Sequence, residues 1–131
     1  MKKITLILIL TFITMGLFAQ APNYKKFRTG TFKMSFNNQS VIVKRSATMQ
    51  LEYLNGSKIP ASFTVNWLNS FTYTLTPAKD FLAKHPAVPK NALITTKIIK
   101  TTQNSYTAIT TSNFYPKVLT NEIFKISDDY K

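Results

Sequence analysis

Between residues 28 and 36, apolar and polar side chains alternate strictly. Gly30, Phe32, Met34 and Phe36 fall on one side of an extended chain, and Thr31, Lys33 and Ser35 on the other. A period of two is the mark of a strand with one buried face. No long segment has the 3.6-residue periodicity of a helix, so the chain must build its core from strands. Seven more segments read as strands: 40–45, 49–54, 61–68, 71–76, 92–101, 105–111 and 118–126. They are rich in Thr, Phe, Tyr, Val and Ile, which suit a pleated, half-buried surface. Glycine is rare, so the turns between them rely on Asn37-Asn38-Gln39, Asn55-Gly56-Ser57, Asn69-Ser70 and Thr102-Gln103-Asn104.

Three places break this rhythm. Residues 77–91 hold Pro77, Pro86 and Pro89 and are expected to form a long loop, with one helical turn around Asp80 to Lys84. Ile98 and Ile99 are adjacent, which requires apolar surroundings on both faces or a bulge. The tail from Ser127 to Lys131 is expected to fray.

Eight short strands in succession suggest an antiparallel meander. An open sheet leaves two unpaired edges, and closure removes them. The expected fold is therefore all-β: a small antiparallel up-and-down barrel or curved half-barrel of about eight strands. A two-sheet sandwich is the main rival. An outer-membrane barrel is disfavoured. Its strands run to roughly 9–11 residues, and Lys33, Lys44, Lys97 and Lys100 would interrupt its lipid-facing band.

The first 19 residues have a different character. Lys2 and Lys3 precede an apolar run from Ile4 to Phe18, and Ala19 offers a small residue for cleavage. This is the layout of a signal-peptide helix. The run is shorter than the roughly 20 residues of a spanning helix, which leaves a membrane anchor as the weaker reading. Leu17 departs from the usual small residue, and cleavage after Ala21 is the alternative. The expectation is residues 1–19 as signal peptide and 20–131 as a single all-β domain, exported to the periplasm, the cell envelope or the medium. Export without any cysteine excludes disulfides and a lipid anchor on a cysteine, so closure and aromatic packing must hold the fold.

The chain has 17 basic and 5 acidic residues. Without Lys2 and Lys3 the exported part keeps 15 basic residues, a net charge of +10. Such a charge favours anionic partners, including an anionic membrane surface. Nucleic acid is not expected, because the basic residues are scattered and do not alternate with stacking aromatics along a stripe.

Several short motifs, covering most of the exported part, carry a resemblance. They are Lys26-Phe27-Arg28-Thr29-Gly30-Thr31-Phe32, then Arg45 with Gln50 and Glu52, then Trp67 four residues before Phe71 with Tyr73 and Leu75, and Asn104-Ser105-Tyr106. With these the chain resembles a family of small exported bacterial proteins of unassigned function. Gly30-Thr31-Phe32 also looks like the glycine-x-aromatic opening of lipocalin-like barrels, which would imply a ligand cavity inside the barrel. Relatives in the resembled family tend to carry one cysteine near the start of the exported part and another at the position of Phe71. This chain offers Tyr24 and Phe71 instead, which implies aromatic packing in place of a cross-link.

Arg45, Gln50 and Glu52 are the first candidate site. An even-numbered loop between the second and third strands puts all three on one face with Val41 and Val43. An odd loop puts Arg45 beside Met49, Leu51 and Tyr53 instead. In the even register a guanidinium, an amide and a carboxylate converge. Arg45 could then act as a fork for a ligand carboxylate or phosphate, or the group could be a structural ion pair. Phe63, Trp67 and Tyr73, with Phe71, could line an apolar pocket or could simply fill the core. Phe114 and Tyr115 are expected to pack under the barrel rim.

No catalytic constellation is visible. His85 is the only histidine, with no nucleophile or carboxylate at a triad spacing and no second histidine for a metal. No cofactor is implied. The expectation is a monomeric, non-enzymatic binding protein for a small apolar or anionic envelope molecule. The ligand-binding candidates are Arg45, Gln50, Glu52, Phe63, Trp67 and Tyr73. The alternative is an inhibitor or accessory protein that docks on another envelope protein or macromolecule through loops 77–91 and 112–117.

Overall fold

The computed structural model describes residues 22–131. The signal segment and its cleavage sites lie outside the described residues. A 3-10 turn at Lys25–Phe27 precedes eight strands: β1 Gly30–Phe36, β2 Gln39–Arg45, β3 Met49–Leu54, β4 Ala61–Trp67, β5 Thr72–Pro77, β6 Ile94–Thr101, β7 Ser105–Ser112 and β8 Leu119–Ser127. One short helix, α1 (Lys79–Lys84), lies between β5 and β6. Each strand pairs antiparallel with the next, and β8 pairs with β1, so the sheet closes into an up-and-down barrel. Closure leaves no sheet edge exposed.

The turns form where the residue types favour them. Asn37 and Asn38 both take positive φ, 49° and 61°, in the two-residue turn that sets Phe36 opposite Gln39. Asn55 and Gly56 do the same at 48° and 73°, and the Ser57 N–H returns to the Leu54 carbonyl at 2.9 Å. In β6 the register shifts between Ile98 and Lys100. The adjacent isoleucines are therefore resolved by a bulge: Ile98 is buried and Ile99 is exposed.

The seam between β8 and β1 is short and also bulged, between Thr31 and Phe32. Gly30 sits there at φ +134°, and a Cβ on it would stand 2.5 Å from the Ser127 carbonyl oxygen and 2.8 Å from the Lys125 side chain. Only glycine lets the two strands approach so closely. The tail is more ordered than expected. Thr31 donates to the Asp129 carbonyl at 2.5 Å, and the Asp129 N–H finds the Ser127 hydroxyl at 3.0 Å.

The buried side chains form two clusters. The larger gathers Phe27, Phe32, Val41, Val43, Ile98, Tyr106, Ala108 and Ile123. The smaller holds Phe63, Val65, Tyr73 and Leu75, and Trp67 packs against both. Phe27 belongs to the 3-10 turn and is fully buried, so that turn closes one end of the barrel. Beside it the rings of Tyr24 and Phe71 pack with centroids 5.7 Å apart, an aromatic contact between the two positions singled out in the sequence.

Candidate functional site

The loop between β2 and β3 has the even register: Arg45 faces Gln50, and Val43 faces Glu52. Partners across a ladder share a face, and here that face is the barrel interior. Arg45 is 1% exposed. Its Nε donates to Gln50 Oε1 at 2.7 Å and its Nη1 to the Phe27 carbonyl at 2.9 Å. Its Nη2 donates to the hydroxyls of Tyr73 at 3.0 Å and Tyr106 at 2.8 Å. Those two hydroxyls lie 3.1 Å from each other. The guanidinium carbon also sits 4.7 Å from the Phe32 ring centroid and 4.6 Å from that of Tyr73. A buried cation is tolerated only when it is bonded this fully.

Charge balance comes through a relay. Gln50 Nε2 donates to Glu52 Oε1 at 2.9 Å, so one amide joins the guanidinium to the carboxylate. Burial opposes the charge on Arg45, but Tyr106, Tyr73 and Glu52 outweigh it and its pKa stands above the usual arginine value. Burial pushes the Tyr73 phenol well above its ordinary value, against the pull of Arg45. Burial also raises the Glu52 carboxyl, while the Gln50 hydrogen bond and Arg45 pull it down.

Above this cluster the barrel is hollow. A cavity of about 590 Å³ falls within the range of small-molecule sites. Its walls are mostly apolar, from Met34, Phe36, Val41, Val43, Leu54, Leu75, Ile94, Leu119 and Ile123. Arg45, Gln50, Glu52, Tyr73, Thr96, Thr110 and Asn121 add polar atoms. Glu52 is only half-buried by surface area, and the surface it exposes looks into this space. The mouth lies where the 55–60 loop, α1 and the start of β8 meet, and Ser57, Ile59, Asp80, Phe81, Lys84 and His85 border it.

Of the six ligand-binding candidates, Arg45, Gln50, Glu52 and Tyr73 come together on the cavity, and Phe63 and Trp67 do not line it. Phe63 faces inward but is covered by Phe81 of α1, with ring centroids 5.4 Å apart. Trp67 lies at the closed end, against Tyr73 at 4.7 Å and under the Arg28 guanidinium at 5.1 Å. Its indole Nε1 and the Arg28 Nε are buried with no hydrogen-bond partner among the described residues. Arg45 lines the cavity, and its four hydrogen bonds all go to protein partners, as in the structural alternative to a fork for a ligand carboxylate or phosphate. Phe114 and Tyr115 are 39% and 44% exposed, so they do not pack under the rim. The Asn113 side chain ties the loop to Leu93 and Asn91, and Ser112 holds the Tyr115 N–H, which turns both rings outward.

Two contributors escaped sequence reasoning. Tyr106 is fully buried in the Arg45 cluster, and its alternation with Ala108 and Thr110 along β7 was the available signal. Phe81 covers Phe63 from a helix whose brevity hides any periodicity. His85 is exposed at the mouth, stacked on Phe81 at 4.1 Å, with Nδ1 2.9 Å from the Phe81 carbonyl.

The rim has a composition of its own. Lys58, Lys90 and Lys117 on the loops and Lys79 and Lys84 on α1 are all exposed at this end, where Asp80 is the one acidic residue among the described residues. Among them Ile59 is 72% exposed and Val118 62%. No described helix is long and apolar enough to cross a membrane, and no group of three His, Cys, Asp or Glu side chains among the described residues is placed to hold a metal. Comparison with protein-family models, with curated proteins and with solved structures returned no match.

Proposed function

We propose that this protein is an exported, non-enzymatic carrier or binding protein that holds one small, mainly apolar molecule inside its barrel, in the manner of a lipocalin. The observation that carries this reading is the cavity of about 590 Å³ with apolar walls and a border of loops. An eight-stranded barrel is the size that either fills with side chains or holds one small ligand, and this one is hollow. The leader segment of residues 1–19 supports export. The test uses N-phenylnaphthylamine, an uncharged fluorophore that brightens in apolar surroundings. Saturable one-to-one binding is expected. Ala61→Trp and Leu54→Trp, which push bulk into the cavity from two strands, are expected to weaken it at least tenfold with the circular dichroism unchanged. Absence of binding, or equal binding by both folded variants, would overturn the reading.

A second reading is favoured by the rim. Five exposed lysines beside exposed Ile59 and Val118 suit an anionic bilayer surface, where each near-surface lysine adds about 1 kcal/mol of attraction. Docking by this end would present the cavity mouth to the membrane. Sedimentation with vesicles rich in anionic phospholipid is expected to carry the protein down, and uncharged vesicles are not. Equal sedimentation with both kinds would remove this reading. Capture of an envelope protein through the rim, lost when residues 77–91 are deleted from a chain that still folds, would replace the bilayer with a macromolecular partner.

A further inference from the structure

The polar atoms of the interior are nearly all committed to one another. Arg45 gives four hydrogen bonds to Gln50, the Phe27 carbonyl, Tyr73 and Tyr106. Gln50 is engaged at both ends, accepting from Arg45 and donating to Glu52. The two tyrosine hydroxyls bond to each other as well as to the arginine. The carboxyl of Glu52 is different. Its Oε1 takes the Gln50 amide, and its Oε2 has no hydrogen-bond partner among the described residues. Glu52 lines the cavity. The polar groups left for a ligand are therefore the Glu52 carboxylate and, across the cavity, the Asn121 side-chain amide, which has no hydrogen-bond partner among the described residues; both offer an acceptor, and the arginine fork is not among them.

Charge narrows the choice. Arg45 and Glu52 are joined through one amide, so the relay is close to neutral overall. A ligand carboxylate or phosphate would meet the Glu52 oxygen and add an unbalanced negative charge in a water-poor space. A ligand ammonium would bond Glu52 well but leave the interior with a net positive charge. Both penalties come from unpaired charge at low dielectric. An uncharged O–H or N–H donor carries neither.

We propose that the cavity takes a single-headed amphiphile whose uncharged hydroxyl or amide head donates a hydrogen bond to Glu52, with its apolar tail along Val41, Leu75 and Ile123 toward the mouth. This inference rests on the carrier reading and assigns the ligand class to it.

The test is displacement of bound N-phenylnaphthylamine at pH 7 by four matched compounds: 1-decanol, decyl methyl ether, decanoate and decylamine. A hydrogen bond to a charged acceptor adds enough affinity for roughly a tenfold difference. Decanol is expected to displace the probe at about one tenth the concentration needed for the ether, with decanoate the weakest. Glu52→Met is expected to bring the decanol-to-ether ratio close to one. Glu52→Gln is expected to improve decanoate relative to decanol, because it leaves Arg45 without its counter-charge. Each ratio is internal to one variant, so a change in overall affinity does not blur it.

Equal displacement by decanol and ether in the unaltered protein would overturn the inference. So would a decanol preference that survives Glu52→Met, or decanoate as the strongest ligand of the unaltered protein. If the probe binds and head groups are not distinguished, only this inference fails. If the probe does not bind, the carrier reading fails with it.

Discussion

At the closed end of the barrel, Arg45 reaches four partners from three strands and the 3-10 turn, and Phe27, Phe32 and Tyr106 pack around it with no exposed surface. At the mouth, a six-residue helix with no buried residue lies over the opening, and Ile59 and Val118 stand in solvent. The same eight strands join both ends. One end is fixed by a satisfied polar network set among aromatics, which is the part of a core that specifies a single arrangement. The other has few buried contacts, and binding elements are drawn from such low-stability regions. A chain without cysteine has gathered its buried polar and aromatic contacts at one end and built the other from few.

The largest effect is expected from breaking the closed end at Arg45. Arg45→Met strands Gln50 Oε1, the Phe27 carbonyl and two tyrosine hydroxyls in the interior. Loss of one member of a buried charged network costs about 3–5 kcal/mol, measurable as a lower urea midpoint. Adding Gln50→Leu, Glu52→Leu, Tyr73→Phe and Tyr106→Phe to Arg45→Met is expected to recover a large part of that loss, because of the groups in this network only the Phe27 carbonyl is then left without its partner. Failure to recover would mean that the packing of the guanidinium against Phe32 and Tyr73 matters more than its hydrogen bonds.

Next comes the seam. Gly30→Ala places a methyl group 2.5 Å from the Ser127 carbonyl oxygen at a φ of +134°. The backbone strain alone costs about 1–3 kcal/mol, and the contact adds to it. Thermal unfolding checks this, with Gly56→Ala as the comparison near the mouth. Gly56 also has positive φ but meets nothing within 4 Å, so its loss is expected to be smaller. Equal losses would show that closure of the seam adds nothing beyond backbone preference.

The barrel could be read from the chain because its causes are local. Alternation in Phe32, Met34 and Phe36, asparagines at both hairpin turns, and the isoleucine pair that forces a bulge each act within a few residues. The site was half readable. Arg45, Gln50 and Glu52 are joined by one hairpin, so a single parity of loop length decided whether they converge. Tyr106 joins them from a strand 61 residues away in the chain, and the Phe27 acceptor is a backbone carbonyl with no side-chain signature. Phe63 and Trp67 were placed on the correct face of β4, but Phe81 and Arg28 cover them, and which distant side chain covers a strand residue is a tertiary outcome.

Glu52 sets the boundary between the two ends, and its effect on stability runs opposite to those above. Its folded pKa is raised by burial, against the Gln50 hydrogen bond and Arg45. The folded state then holds its proton more tightly than the unfolded state. Stability contributed by the protonated form is present below the unfolded carboxyl value and is lost as pH rises through the folded one. Glu52→Gln keeps an acceptor for Gln50 and removes the ionisation. It is expected to be more stable than the unaltered protein at neutral pH, with the difference shrinking in acid. Melting temperatures of the two proteins from pH 3 to 8 give this difference directly. The depressed Asp128, beside Lys125, titrates alike in both and cancels. A gap that widens toward acid would show that the Arg45 attraction exceeds the cost of burial.

The smallest stability effect is expected at the rim, and it sharpens the contrast most. Ile59 is 72% exposed and Val118 62% exposed. Ile59→Ser with Val118→Ser removes apolar surface that the fold does not bury, so the unfolding free energy from urea titration is expected to change by no more than about 0.5 kcal/mol for each substitution. Binding to anionic vesicles is expected to fall with those side chains gone. A further fall is expected when salt is raised, because exposed lysines are screened over about 8 Å at physiological ionic strength. Tyr106→Phe makes the reverse test. It is buried at the closed end and loses a hydroxyl bonded to a cation, which costs about 1.5–3 kcal/mol, while vesicle binding stays unchanged. Stability lost at the rim, or vesicle binding lost with Tyr106, would mean that the two ends do not divide their tasks as their composition implies.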